Sequence, residues 1–170
     1  MRPHPLQYHA FTSKTRFINL ACGRQSGKSE IARRKIIASL AIKKDWPDPT
    51  YLFALPTFQQ AKRVVWRKIE MMIPDHWIKS KNVQDMCIET KFGSTLYVAG
   101  LDQPQRVEGL TYDGVIIDES SDVKEGVFER SIMPALGIRK GWCWRIGVPK
   151  RYGIGAAEYK EWFDRGCGSL

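Results

Sequence analysis

Cys22-Gly23-Arg24-Gln25-Ser26-Gly27-Lys28-Ser29 is the stretch on which the reading of this chain turns. It closes an apolar run, Phe17 to Cys22, that reads as a buried strand, and it opens a segment from about Lys28 to Lys43 that reads as a helix. A strand, a glycine-bearing loop and a helix in that order can turn several backbone N–H groups toward one point. The helix adds the positive end of its dipole. Such an arrangement holds phosphate. Lys28 is then expected on the β- and γ-phosphates of a nucleotide and the Ser29 hydroxyl on Mg2+, with Gly23, Arg24, Gln25, Ser26 and Gly27 forming the cradle. The general pattern has Gly where this chain has Cys22. Gly23, one residue later, supplies the backbone freedom instead.

A second motif lies far downstream. Gly114-Val115-Ile116-Ile117 is a continuous apolar run that ends in Asp118-Glu119, two carboxylates at the C-terminal end of a strand. Open parallel sheets bind their ligands at that edge, where the phosphate loop also falls. By itself an acidic pair after an apolar run can equally cap a helix. Combined with the loop it predicts nucleotide hydrolysis, with Asp118 in the Mg2+ shell and Glu119 orienting and deprotonating the attacking water. The two motifs together predict an ATP-binding domain that hydrolyses its nucleotide.

The remaining chain fits such a domain. Tyr51–Leu55 reads as a strand, and Thr57 as the N-cap of a helix that carries Ala61, Val64, Val65 and Ile69 toward Pro74. Met86–Thr90 and Thr95–Ala99, joined around Gly93-Ser94, read as an antiparallel hairpin. Val123–Leu136 is expected to be helical, Trp142–Gly147 a strand and Ala156–Arg165 a last helix. Strands alternating with helices imply an α/β domain: a mainly parallel sheet with helices on both faces.

With 170 residues, 43% hydrophobic content, six Trp and seven Phe, the chain suits one packed domain over its whole length and is not a disordered segment. No apolar run approaches the roughly 18 to 20 residues that cross a membrane, and Met1–Ala10 has no apolar core of a signal peptide. Cys22, Cys87, Cys143 and Cys167 form no CxxC pair, so neither a disulfide framework nor a zinc site is expected, and a reducing cytoplasm is the simplest setting. The net charge of +9 points to a polyanion, nucleic acid first. It is spread over Arg33-Arg34-Lys35, Lys62-Arg63, Arg67-Lys68, Arg139-Lys140 and Lys150-Arg151, each of which can also be a solvated face.

With both motifs in view, nearly the whole chain resembles the ATPase domain of the large terminase subunit of tailed bacteriophages, a P-loop fold of the ASCE/RecA-like type. Gln7, shortly before the loop, stands where family members contact adenine, and Arg24 matches the loop arginine of terminases, which also depart from the general glycine pattern at Cys22. Pro56-Thr57-Phe58-Gln59-Gln60-Ala61 is similar to a family stretch. Arg106-Val107-Glu108-Gly109-Leu110 resembles the family's Arg-Gly segment, with Glu108 interrupting the adjacency. Ile146-Gly147-Val148-Pro149-Lys150 stands where the family couples hydrolysis to movement, although Ser or Thr is usual at Gly147 and Val148.

The resemblance implies a motor that hydrolyses ATP to drive double-stranded DNA into a procapsid. It also implies a homo-oligomeric ring of five on the portal protein, a terminase small subunit as partner, and action in the host cytoplasm. Arg24 would serve in cis and Arg106 on a neighbouring subunit's ATP. Full-length family members add an RNase H-like nuclease with clustered aspartates. No such cluster occurs here besides Asp118-Glu119, so nuclease activity is not expected, and the chain is either an excised domain or a split subunit. Two other readings compete. A helicase-like motor would need a second RecA-like domain, and a nucleotide-binding assembly module would have no need of Glu119.

Overall fold

β2 (Thr50–Leu55) and β6 (Gly114–Ile117) are buried almost throughout, the signature of strands covered on both faces. They lie inside a seven-stranded sheet of order β1-β7-β6-β2-β5-β4-β3. β1 (Phe17–Ala21), β7 (Trp142–Gly147), β6, β2 and β5 (Thr95–Gly100) run parallel, and β4 (Cys87–Thr90) and β3 (Ile78–Asn82) add an antiparallel flank. The computed structural model describes residues 4–167. The side chain of Cys167, and residues 1–3 and 168–170 at the ends of the expected domain, lie outside the described residues.

Side chains alternate across the sheet as the strand period requires. Tyr51, Phe53 and Leu55 of β2, Ile116 of β6 and Trp144 and Ile146 of β7 face one layer, with Ile31, Ala32, Ile36 and Leu40 of α2 (Lys28–Leu40) and Val65 and Ile69 of the helix that follows β2. Leu52, Ala54, Val115, Ile117 and Cys143 face the other, against Val107, Tyr112, Phe128, Ile132 and Leu136. The α/β sheet with helices on both faces is as the sequence implies. Among the described residues no helix is long and apolar enough to cross a membrane.

Several boundaries differ from expectation, each with a cause. α2 stops at Leu40 rather than near Lys43, because the Ser94 hydroxyl donates to the Leu40 carbonyl at 2.7 Å and ends the helix there. The helix after β2 starts on the Thr57 cap, whose hydroxyl accepts from Gln60 N at 3.2 Å. α3 (Phe58–Gln60) passes without a break through a π-helical stretch, Ala61–Trp66, into α4 (Arg67–Met72). The helix expected over Val123–Leu136 begins only at Phe128, since Gly126 turns at φ 76° and gives its N–H to Glu158 at 2.6 Å. It runs as a π-helix over Phe128–Ile132 and then as α5 (Met133–Gly137), with Pro134, which has no N–H to donate, in the first turn of α5. α6 spans Ala156–Cys167.

Two elements escaped the sequence reading. α1 (Pro5–Thr12) is short and not amphipathic, but Pro5 opens it and His4 caps it, with Gln7 Oε1 accepting from His4 N at 3.0 Å. β3 is a polar edge strand in which Lys79 and Lys81 discourage further pairing, so no apolar alternation betrays it.

Candidate active site

The loop between β1 and α2 is left-handed at two places, Gln25 (φ 58°) and Gly27 (φ 79°). Gly27 is the N-cap of α2 and brings no capping side chain, so the first N–H groups of the helix are left for a ligand. A side chain at Gly27 would also push the Gln7 amide aside. Gln7 reaches from α1 to donate to the Ser26 carbonyl at 3.0 Å, and a Cβ on Gly27 would lie 2.3 Å from Gln7 Nε2. Lys28 is only 8% exposed, yet its ammonium has no hydrogen bond or ion pair among the described residues. The Ser29 hydroxyl is likewise unbonded among them, and Arg24 is exposed with no carboxylate partner there.

The acidic pair sits at the same edge. β1 and β6 flank β7, so at usual strand spacing the loop and the carboxylates are about 10 Å apart. Gly147 links them: Cys22 N donates to its carbonyl at 3.0 Å, and a Cβ there would stand 3.3 Å from Ser120 N. Asp118 is buried; its Oδ1 accepts from Glu119 N at 2.9 Å and its other oxygen has no partner among the described residues. Glu119 is half-buried at φ 52°, a conformation uncommon for a residue with a side chain. Tyr159 of α6 closes the floor, its hydroxyl donating to the Leu20 carbonyl at 2.9 Å. Burial, then the neighbouring Cys22, Glu119 and Asp118, push that phenol above its usual range. The sequence reading did not single out Tyr159; an aromatic in a helix carries no signal of this role.

Arg106 is not brought to this loop. It is exposed, in the 3-10 turn Pro104–Arg106 after β5, with its guanidinium 5.5 Å from the Phe58 ring centroid. β2, β6 and β7 separate β5 from the loop strand. The interrupting Glu108 is occupied, its Oε1 accepting from the Ser131 hydroxyl at 2.7 Å.

The basic clusters divide. Arg33 and Arg34 both pair with Glu30, at 3.0 and 2.8 Å. Lys35 donates to the Phe11 carbonyl at 2.9 Å and faces the rings of Phe11, Trp142 and Trp144. Arg139 holds Asp48 and Asp113 and lies over Trp46, and Lys150 holds Asp122 at 2.6 Å. These cations hold the fold together. Lys62, Arg63, Arg67 and Lys68 are exposed along the helix after β2, without a carboxylate partner among the described residues.

Two cavities open beside the loop. One of about 920 Å³ is lined by Tyr8, Phe11, Gln25, Arg34 and Trp77 among others; a smaller one of about 280 Å³ reaches Cys22 and Lys28. Gln7, Ser26 and Ile31 line both. No cluster of three or more His, Cys, Asp or Glu that could hold a metal occurs among the described residues. Cys22, Cys87 and Cys143 are free thiols.

Loop, acidic strand and parallel sheet define the class, a P-loop α/β domain. The chain belongs to the family described as terminase large subunit, T4likevirus-type, N-terminal, whose model matches residues 19–140. It is 28% identical to the terminase large subunit of Thermus phage G20c over 88% of its own length, and spans about a third (34%) of that relative. Its fold matches the large terminase ATPase domain of Thermus phage P74-26 with a TM-score of 0.78 at 23% identity, covering 95% of this chain and 69% of the other. It also matches the large terminase of the bacteriophage HK97, with a TM-score of 0.75 at 15% identity, covering 99% and 37%.

Proposed function

We propose that this domain hydrolyses ATP with Mg2+ to power the packaging of double-stranded viral DNA into a procapsid. The observation that carries the reading is the state of the site's polar groups. The Lys28 ammonium, the Ser29 hydroxyl and one Asp118 oxygen stand at one sheet edge without partners among the described residues, while neighbouring Arg34 and Lys35 are engaged. Groups left unsatisfied near a buried edge are suited to a ligand. A hydroxyl and a single carboxylate are hard oxygen donors and fit Mg2+, which draws its remaining ligands from phosphates and water. That ion, held by Ser29 and Asp118, would neutralise phosphate charge.

The chain's own residues divide the work. Lys28 and the N–H groups of the loop bind the phosphates, with Gly23, Gln25, Ser26 and Gly27 shaping the cradle. Gln7, on the wall shared by both cavities, meets the adenine. Glu119, at the turn after β6, orients the attacking water and takes its proton. Arg24, exposed in the loop, is assigned to charge stabilisation in cis. Arg106, exposed in the turn after β5 and away from the loop, is assigned to a neighbouring subunit's nucleotide in a ring of five, on the family's pattern. The portal protein and the small subunit complete the assembly in the host cytoplasm. Lys62, Arg63, Arg67 and Lys68 offer the phosphate-binding track for DNA.

The test is ATP turnover with and without double-stranded DNA, in the wild type and in Glu119→Gln, alongside nucleotide affinity. The expected result is unchanged affinity in the variant with turnover reduced about 100-fold or more. Wild-type turnover in Glu119→Gln, or none in the wild type at high protein concentration, contradicts the reading.

A further inference from the structure

Arg145 lies on β7, 4% exposed, on the face of the sheet that α6 covers. Its Nε donates to the Ser120 hydroxyl and its Nη2 to Glu158 Oε1, both at 3.0 Å. The guanidinium stands 4.6 Å from the Phe128 ring centroid and 5.9 Å from that of Trp162. Nη1 is buried and finds no acceptor among the described residues. A buried arginine with an orphan N–H is a poor way to stabilise a core, since apolar side chains of similar volume commonly do as well or better. Its neighbours suggest what it is for.

Ser120 follows Glu119 directly. Glu119 holds its left-handed φ of 52° because the turn around it is tied down: Asp122 N donates to the Glu119 carbonyl at 2.9 Å and the Ser121 hydroxyl to the Val148 carbonyl at 3.1 Å. The Arg145 bond to Ser120 extends these ties to a helix. It leads on to Glu158, in the first turn of α6, whose other oxygen accepts from Gly126 N. The next residue, Tyr159, is bonded to the loop strand through Leu20. One side chain therefore joins the Ser120 hydroxyl, on the residue next to the water-activating carboxylate, to a helix that also touches the phosphate-loop strand.

We propose that Arg145 is a positioning residue that couples the backbone of Glu119 to α6, so that the setting of Glu119 and the position of α6 change together when nucleotide binds. The proposal rests on the ATPase reading of the site. Ser120→Ala removes one oxygen from the chain of contacts, and Glu158→Gln removes the charge at its far end. In each variant we would measure affinity for a non-hydrolysable ATP analogue, ATP turnover, and hydrogen exchange over residues 156–167 with and without the analogue.

The expected outcome is affinity within about twofold of wild type and turnover lower by about tenfold. The exchange response of α6 to nucleotide, present in the wild type, should vanish in both variants. The double variant should be no slower than the slower single one, because both act through Arg145. Turnover and α6 exchange equal to wild type in both variants overturn the proposal. So does a parallel fall of affinity, turnover and melting temperature with the exchange response intact, which marks a merely structural pair. Absence of wild-type turnover would remove the ATPase reading, and the exchange measurement would still decide the coupling.

Discussion

Lys28 is the residue whose environment says most. Its stem is buried while its ammonium opens into the smaller cavity, where it has no acceptor among the described residues. The sequence motif picked it out because Gly-Lys-Ser follows a strand, and the fold adds that no described carboxylate competes for the charge. Asp118 and Glu119 were legible for the same reason, as the end of an apolar strand. Arg145 and Tyr159 were not, because a side chain whose role depends on the neighbouring strand and on a helix later in the chain leaves no local pattern. Residue environment also sets thiol chemistry. Cys143 is buried beneath the second layer, and burial pushes its thiol up to about 12 against the opposing pull of Arg145. Alkylation of the native protein near pH 8, mapped by mass spectrometry, should modify the half-exposed Cys22 and spare Cys143 until the chain is unfolded. Labelling of native Cys143 at the unfolded rate contradicts this packing.

At the scale of elements, the phosphate loop depends on Gly27 and not on Gly23, whose expected backbone freedom is not used because its φ is not left-handed. Gly27 holds φ 79° and has Gln7 where a Cβ would go, whereas a Cβ on Gly23 meets nothing within 4 Å. Gly27→Ala should lower stability by about 1–3 kcal/mol, because a side chain is strained at this left-handed φ, while Gly23→Ala should melt close to wild type. Equal melting temperatures for the two variants would show that the loop does not have this shape. The strands β2, β6 and β7 and the β4–β5 hairpin could be read from apolar runs and from Gly93, since each is decided by its own residues. Helix ends could not. The end of α2 is set by Ser94, distant in sequence, and the late start of the helix at Phe128 by Glu158, more than a whole strand further on.

For the whole molecule, the charge of +9 resolves into cations that hold the fold and cations that face solvent. Composition could announce the excess but not the division, because pairing partners such as Asp48 and Asp113 for Arg139 are joined only by the fold. The exposed face of the helix after β2 gathers four cations free to meet a polyanion, whereas Lys140 and Arg151 are single exposed cations beside paired ones. Replacing Lys62 and Arg67 together by Glu should weaken duplex DNA binding and flatten its dependence on salt by about two phosphate contacts. Binding with unchanged affinity and salt slope would place the DNA track elsewhere. The central claim concerns the loop at the other end of the same edge. It is tested most directly by calorimetric titration of MgATP into the wild type and Lys28→Ala. The wild type should give a binding isotherm and the variant none; equal affinity in the two would remove Lys28 from the phosphates.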